Sequence, residues 1–259
     1  MIKFAVLKIT FLGTGTSQGI PVIGSNHPVC LSTNKKDKRL RVSVLIEWDN
    51  YSYVIDCGPD FRYQMLRAKV SKIDGILFTH EHADHTAGLD DIRPFFFRQG
   101  DIPIYAHERV MNSLETRFDY IFETENKYPG APSVEKIVIE NKPFKLGDLE
   151  IIPINGFHNN LQVFGFRFGD FAYLTDMKTV EEDEVEKLKG IKVLVVNALR
   201  EEKHESHFNL KEALDFIDKV QPKKAYLTHI SSLLGFHQEV EKNLPKNVFL
   251  AYDTLELTI

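Results

Sequence analysis

Cysteine is scarce in this chain: Cys30 and Cys57 are the only two in 259 residues. That is too few for a disulfide framework and fits a reducing compartment, so we expect a cytoplasmic protein. Long apolar runs are missing as well. Nothing in the sequence approaches the roughly 20 apolar residues that a membrane-spanning helix needs. Met1 to Leu12 is apolar but interrupted by Lys3 and Lys8, and it reads as a strand, not as a secretory leader. No basic block occurs, and the formal net charge is −5. That balance argues against a nucleic-acid backbone as partner, while a local cationic site could still hold a phosphate. We find no fixed-period repeat, no low-complexity segment and no Pro/Gly/Ser linker. What remains is ordinary globular material, 43% apolar and 27% charged, ample for a core, and we read residues 1–259 as one domain.

The densest chemistry lies in Thr79-His80-Glu81-His82-Ala83-Asp84-His85. An apolar run (Ile73, Ile76, Leu77, Phe78) precedes it and reads as a buried strand, which places the cluster on the loop leaving that strand. Imidazole is the commonest metal ligand, and carboxylate adds a hard oxygen. His80 and His82, two apart, can converge on one ion. Asp84 and His85 cannot easily join them there but can hold a second ion alongside. Further candidates recur at strand ends downstream: His158 after an apolar strand, Asp176 after a hairpin, and His229 in Leu227-Thr228-His229-Ile230-Ser231. Asp56 ends a strand too, where a turn-forming Asp before Gly58 is the simpler alternative.

Around these residues the pattern is mixed α and β. Strands are expected at 3–12, Val42–Trp48, Tyr51–Asp56, Ile102–Tyr105, 134–140, 143–146, 149–157, Val163–Phe168, Phe171–Leu174, Ile191–Asn197 and Lys224–Thr228, with closing strands between Val248 and Leu257. Helices are expected over Pro59–Val70 (Phe61, Met65, Leu66 and Val70 inward), His107–Phe118 with His107 as cap, and Phe236–Asn243. Another starts near Asn209, its inward stripe being Leu210, Ala213, Leu214, Ile217 and Val220. Thr179 and Glu182 have capping-box spacing, which predicts a helix over Thr179–Gly190 with a solvated charged face. Residues 119–133 read as a lid-like connection. Phe95-Phe96-Phe97 reads as core in preference to a pocket wall. Arg93 either holds a phosphate or pairs with Asp90 or Asp91.

His-x-His-x-Asp-His with ordered downstream partners resembles the metallo-β-lactamase superfamily of metal-dependent hydrolases. Gln18-Gly19-Ile20-Pro21 and Gly88-Leu89-Asp90-Asp91-Ile92-Arg93-Pro94-Phe95 are similar to its phosphoribosyl cyclic phosphodiesterase subgroup. The resemblance implies an α+β fold, a four-layer αββα sandwich of two mixed sheets flanked by helices, with the metal loops along one edge. It implies two divalent ions, zinc or manganese: one on His80, His82 and His158, the other on Asp84, His85 and His229, with Asp176 bridging both. Asp56 would lie beneath and orient ligands. The subgroup also carries a structural zinc in a long early loop. Here its positions are Ser25, His27, Cys30 and Ser232, too few ligands for a four-coordinate site.

The activity implied is hydrolysis of a small or cyclic phosphate ester. A hydroxide shared by the two ions would attack phosphorus in line. His207 would protonate the leaving alkoxide as general acid, and Asp84 counts with it among the catalytic residues. The alternative for His207 is a surface residue flanking a helix. His204 and Arg93 are candidates for contacting substrate. Three other functions stay open. A tRNA 3′-processing-type endonuclease would need a tRNA-clamping arm and a basic surface, and neither is evident. A thioesterase or lactonase of the same fold would leave His207 without a duty. A non-catalytic or electron-transfer metal protein is disfavoured, since the ligand set is complete and oxygen-reducing relatives usually carry Glu where His82 stands. Relatives suggest a homodimer, and no membrane partner is expected.

Overall fold

The computed structural model of the chain describes residues 6–259. Its strands run in chain order as β1 (Lys8–Gly13), β2 (Ser43–Trp48), β3 (Tyr51–Ile55), β4 (Gly75–Leu77), β5 (Ile102–Ala106), β6 (Val134–Val138), β7 (Phe144–Leu146), β8 (Leu149–His158), β9 (Leu161–Phe168), β10 (Phe171–Tyr173), β11 (Val193–Asn197), β12 (Lys224–Thr228), β13 (Val248–Leu250) and β14 (Glu256–Thr258). Among the described residues they form two seven-stranded sheets. The first has the order β14-β1-β2-β3-β4-β5-β6, and the second β13-β12-β11-β10-β9-β8-β7. Each mixes antiparallel hairpins with parallel neighbours, as β2–β3 and β3–β4 illustrate. The last strand leaves the second sheet and closes the first beside β1, so the two closing strands belong to different sheets.

Side-chain alternation builds the layers. On β2, Val44 and Ile46 face the second sheet while Leu45 faces outward. Between the sheets, Phe11, Ile55 and Leu77 meet Phe164, Phe166, Phe168 and Tyr173. Outside the first sheet, Leu45, Val54 and Ile104 pack against Phe61, Met65, Val110 and Leu114 from helices. Outside the second, Leu194 and Val196 pack against Leu188, Ala213, Ile217 and Val220. Three apolar layers separate four structural layers, the αββα sandwich expected. Each large side chain so buried contributes about 1.5–3 kcal/mol, so the sheets have little freedom to slide where the site lies.

Several boundaries and faces differ from expectation. β1 begins at Lys8, and residues 3–5 of the anticipated strand lie outside the described residues. The helix after β3 spans Phe61–Ala68, and Leu66 on it is exposed, while Gln64 is buried because its side-chain amide donates to the Arg41 carbonyl. The predicted Thr179–Gly190 helix shrinks to Glu182–Glu186, with no side-chain cap. Thr179 is taken by β8 instead: its N–H donates to the Phe157 carbonyl, a bridge that the capping box cannot coexist with. The face expected to be solvated also buries Glu184, which accepts from Asn155 N–H at 2.7 Å, Asn141 and Lys187. By contrast, Asn209 caps Leu210–Val220 in a full capping box with Glu212, and His107 caps Glu108–Arg117.

The long connection between β1 and β2 is held from inside. Buried Arg39 donates to Thr14 Oγ1 at 2.7 Å and to the Ala251 carbonyl at 2.5 Å, and its other terminal nitrogen lies 3.1 Å from His237 Nδ1. In the same connection His27 caps a short helix through Nδ1, Ser25 Oγ accepts from the His27 N–H, and Cys30 Sγ accepts from the Val22 N–H. These are ordinary loop hydrogen bonds. No helix among the described residues is long and apolar enough to cross a membrane.

Candidate metal centre

β3, β4, β8, β10 and β12 all end at the same edge of the sandwich, so Asp56, His80 to His85, His158, Asp176 and His229 meet there. Three of these hold the left-handed backbone conformation that non-glycine residues avoid: Asp56 (φ 63°), Asp176 (φ 57°) and His229 (φ 53°). Such conformations cost of order 1 kcal/mol each and persist where the surroundings demand a particular side-chain direction. The loop carrying the histidines is also seated by close backbone approach. A Cβ on Gly58 would lie 2.0 Å from the Asp84 carbonyl oxygen, so only glycine fits.

The ring nitrogens are oriented from behind. Asp56 is fully buried and accepts from His85 Nδ1–H at 2.6 Å, from the Thr79 N–H at 2.9 Å and from the Thr79 hydroxyl. Thr79 Oγ1 in turn lies 3.0 Å from His80 Nδ1. One carboxylate thus fixes two imidazoles, one directly and one through a hydroxyl. His158 Nδ1–H donates to the Ser206 carbonyl at 2.6 Å. With Nδ1 occupied on all three, Nε2 is the ring position that His80, His85 and His158 would turn to a Lewis acid.

Two groupings result. The His80, His82 and His158 rings lie within 5.9 Å of one another, with His80 Nε2 3.0 Å from His82 Nδ1. Asp84, His85, Asp176 and His229 form the second, a compact set of potential ligand atoms. Asp176 stands between them. Its Oδ1 is 3.2 Å from His229 Nε2 and 3.4 Å from His85 Nε2, and its Oδ2 is 3.8 Å from His80 Nε2. His229 Nε2 is also 3.7 Å from Asp84 Oδ2.

The electrostatics suit cations. Burial works to raise the Asp176 carboxyl, but the charges of His229 and His85 outweigh it and hold the group well below the carboxylate range. Burial likewise opposes ionisation of Asp84, yet His85 and His229 keep it low. His80 is pushed well below its ordinary value by burial, with His85 adding to the effect, so its ring is neutral. The buried nitrogens His85 Nε2, His229 Nδ1 and His229 Nε2 have no hydrogen-bond partner. Buried ring nitrogens left without a partner beside ionised carboxylates are costly unless a cation joins them, and imidazole with carboxylate is a donor set that suits Zn or Mn. The residues therefore fit a pair of divalent ions.

His207 sits against this centre, 8% exposed, its ring 4.3 Å from that of His158 and 4.8 Å from that of His229. Its Nδ1 is 3.9 Å from Asp176 Oδ2. Burial pulls its pKa down to about 3, against the opposing charge of Asp176. His204 lies 5.1 Å from His207 ring to ring, and its Nδ1 accepts from the N–H of Ser206, a residue that also lines a cleft beside the centre. The cleft, of about 490 Å³, is lined by His82, His158, Asn159, Asn160, Leu161 and Ser206. Arg93 is occupied elsewhere. Of its two sequence alternatives the structure has the pairing with Asp90, at 2.5 Å, and the guanidinium also donates to Tyr128 Oη at 3.2 Å and to the Gly130 carbonyl. It ties down the 119–133 connection. Sequence reasoning overlooked Thr79 and Ser206. Thr79 adjoins His80 and could have been suspected as its support, whereas Ser206 acts through a backbone carbonyl that leaves no trace in residue type.

Residues 51–230 match the beta-lactamase superfamily domain, and the chain belongs to that family. Its architecture is the metallo-β-lactamase fold. A solved structure described as a new diphosphatase from the PhnP family is 38% identical, with a TM-score of 0.92, over 98% of this chain and 97% of that one. An octanoyltransferase of Porphyromonas gingivalis is also 38% identical, over 98% of this chain but 52% of its own length. A ribonuclease Z of Listeria innocua is 27% identical, over 62% of this chain and 48% of its own. The chain thus spans about half the length of these two curated relatives.

Proposed function

We propose that the chain, taken over residues 1–259 as one catalytic unit, is a dinuclear metal-dependent phosphodiesterase acting on a small or cyclic phosphate ester. The observation that carries this reading is Asp176, whose two oxygens face two separate imidazole groups, His80 on one side and His85 with His229 on the other. His80, His82 and His158 would hold one ion, Asp84, His85 and His229 the other, with Asp176 shared. Two such ions would lower the pKa of a water between them and screen charge on the phosphate oxygens.

The chain's own groups account for the rest. Asp56, through Thr79 and His85, keeps the imidazoles in one tautomer and one direction. His207 reaches into the same space from the loop after β11, where it can meet the leaving oxygen. Empty of substrate, the ring is neutral at neutral pH. A phosphate anion beside it would raise its proton affinity, so substrate itself recruits the proton that the leaving alkoxide takes. Burial lowers the His204 pKa, with Arg200 and Lys178 adding to the effect and Glu205 opposing it. The likeness to a diphosphatase supports a diphosphate ester as a second substrate to try. Acyl transfer is not adopted, because the Porphyromonas protein is about twice as long as the part matched here.

The test is turnover by Zn- or Mn-reconstituted protein of a five-membered cyclic ribose phosphate, a linear phosphodiester, a diphosphate ester and an acyl thioester. Turnover of a phosphate ester, lost in His207→Ala, is the expected result. Activity on the thioester alone, indifferent to His207, would overturn the reading.

A further inference from the structure

Glu81 stands between His80 and His82, yet its side chain turns away from the histidines towards the helix Glu108–Arg117. Arg109, in the first turn of that helix, pairs with the Glu81 carboxylate through Nη1. Its Nη2 donates to the Gln162 carbonyl at 2.6 Å. Gln162 is the register partner of Phe157 in the β8–β9 hairpin, one position from the His158–Leu161 pair. From the last turn of the same helix, Arg117 donates to the Glu81 carbonyl at 2.6 Å. One guanidinium therefore spans the two segments that supply His80 and His82 on one side and His158 on the other, which belong to different sheets. Around it the sheets also meet through the Phe164 N–H, which donates to the Thr79 carbonyl at 3.0 Å.

We infer that Arg109 is a positioning residue that sets the separation of His80 and His82 from His158, and so tunes one of the two ion sites selectively. The inference rests on the dinuclear reading above. In the other group His85 is held by Asp56 at Nδ1 and by the Cys57 N–H at its carbonyl, and Ile230, next to His229, donates to the Thr14 carbonyl; Arg109 takes part in none of these contacts. His158 is tied by Ser206 at its Nδ1, but the distance from its hairpin to the histidine loop is spanned by Arg109. A guanidinium suits such a span, being rigid, planar and permanently charged, with separate donors for two acceptors at a fixed angle. Lysine supplies the charge without the fork. The Glu81 carboxylate oxygen that Arg109 does not hold is buried with no hydrogen-bond partner. Releasing the guanidinium would leave that carboxylate buried and unpaired, a second reason for the loop to shift when Arg109 is lost.

The experiment uses the full chain stripped with chelator and titrated with Zn or Co(II). Stoichiometry is read by elemental analysis, affinities by competition with a chromophoric chelator, and ligand geometry by the visible Co(II) spectrum. Wild type should take two ions. Arg109→Lys should still take two, one of them about 10–100-fold more weakly, in line with other residues that orient metal ligands. The tighter ion and its Co(II) bands should be unchanged. Arg117→Ala, which frees only the Glu81 carbonyl and leaves the span to Gln162 intact, should bind both ions more nearly as wild type does. Equal affinities in Arg109→Lys and wild type would overturn the inference, as would an equal weakening of both sites. Failure of wild type itself to bind two ions would instead sink the dinuclear reading on which it rests.

Discussion

Asp56 and His85 are joined by a 2.6 Å hydrogen bond in which neither residue touches solvent. Burial alone would push the Asp56 carboxyl up, and it does rise, although His85 opposes the shift. The same carboxylate supports Thr79 and, through it, His80. Asp56→Asn preserves size and tolerates the left-handed backbone, but its amide cannot accept from all these donors. It should weaken metal binding by about 10–100-fold with little change of fold. Chelator competition beside far-UV circular dichroism checks both halves of that statement.

Gly58 makes a related prediction by steric means. Gly58→Ala would press a methyl group into the Asp84 carbonyl, and Gly88 lies against Gly58 in turn, so the loop has nowhere to retreat. The variant should lose affinity at the Asp84 side of the centre more than it loses melting temperature. A variant that binds both ions normally would show that the loop tolerates displacement.

His207→Ala should lower kcat on a phosphate ester by about 10²–10⁴-fold, the usual range for a general acid, while ion stoichiometry stays at the wild-type value. An activated ester whose leaving group needs no proton should be far less affected. Equal losses on both esters would assign His207 to the metal centre and not to proton transfer.

Away from the site, His237 governs a pH dependence of stability. It is buried, its Nδ1 accepts from Arg39, and its Nε2 lies 3.4 Å from Glu241. Burial, reinforced by the Arg39 charge, lowers its pKa to about 4. An unfolded histidine titrates near 6.5. Between those values the unfolded chain binds a proton that the folded chain refuses, so stability falls as pH drops through that window and is whole above it. The loss between about pH 7 and pH 5 should be about 2 kcal/mol. Urea midpoints of wild type and His237→Gln, taken at both pH values, isolate the contribution, since the variant lacks it.

Much of this was readable in advance where chemistry is local. The histidine loop follows its strand immediately, and the Asn209–Glu212 capping box forms as its spacing suggests. The Thr179–Glu182 spacing misleads because a distant strand, β8, competes for the Thr179 N–H, and no local pattern reports that competition. Leu66 fits the helical stripe but faces outward, because Gln64 finds a buried backbone acceptor in Arg41 and takes the inward place. The Arg39–His237 pair joins residues 198 apart in sequence. Arg109 and Glu81 are separated by 28 residues, and each alone looks like a surface charge. Candidate ligands at strand ends, and Asp56 beneath them, could be named from the sequence; the contacts of Thr79, Ser206 and Arg109 could not, since they depend on which loops the sheets bring together.

The proposed chemistry depends above all on Asp176 being shared between two ions. Elemental analysis of chelator-stripped protein, reconstituted with Zn or Mn and freed of excess, tests it directly when run on wild type and Asp176→Asn. Two ions per chain are expected in wild type and marked loss in the variant, since both sites give up the same carboxylate. A single ion in wild type, or two ions held equally well by Asp176→Asn, would contradict the sharing.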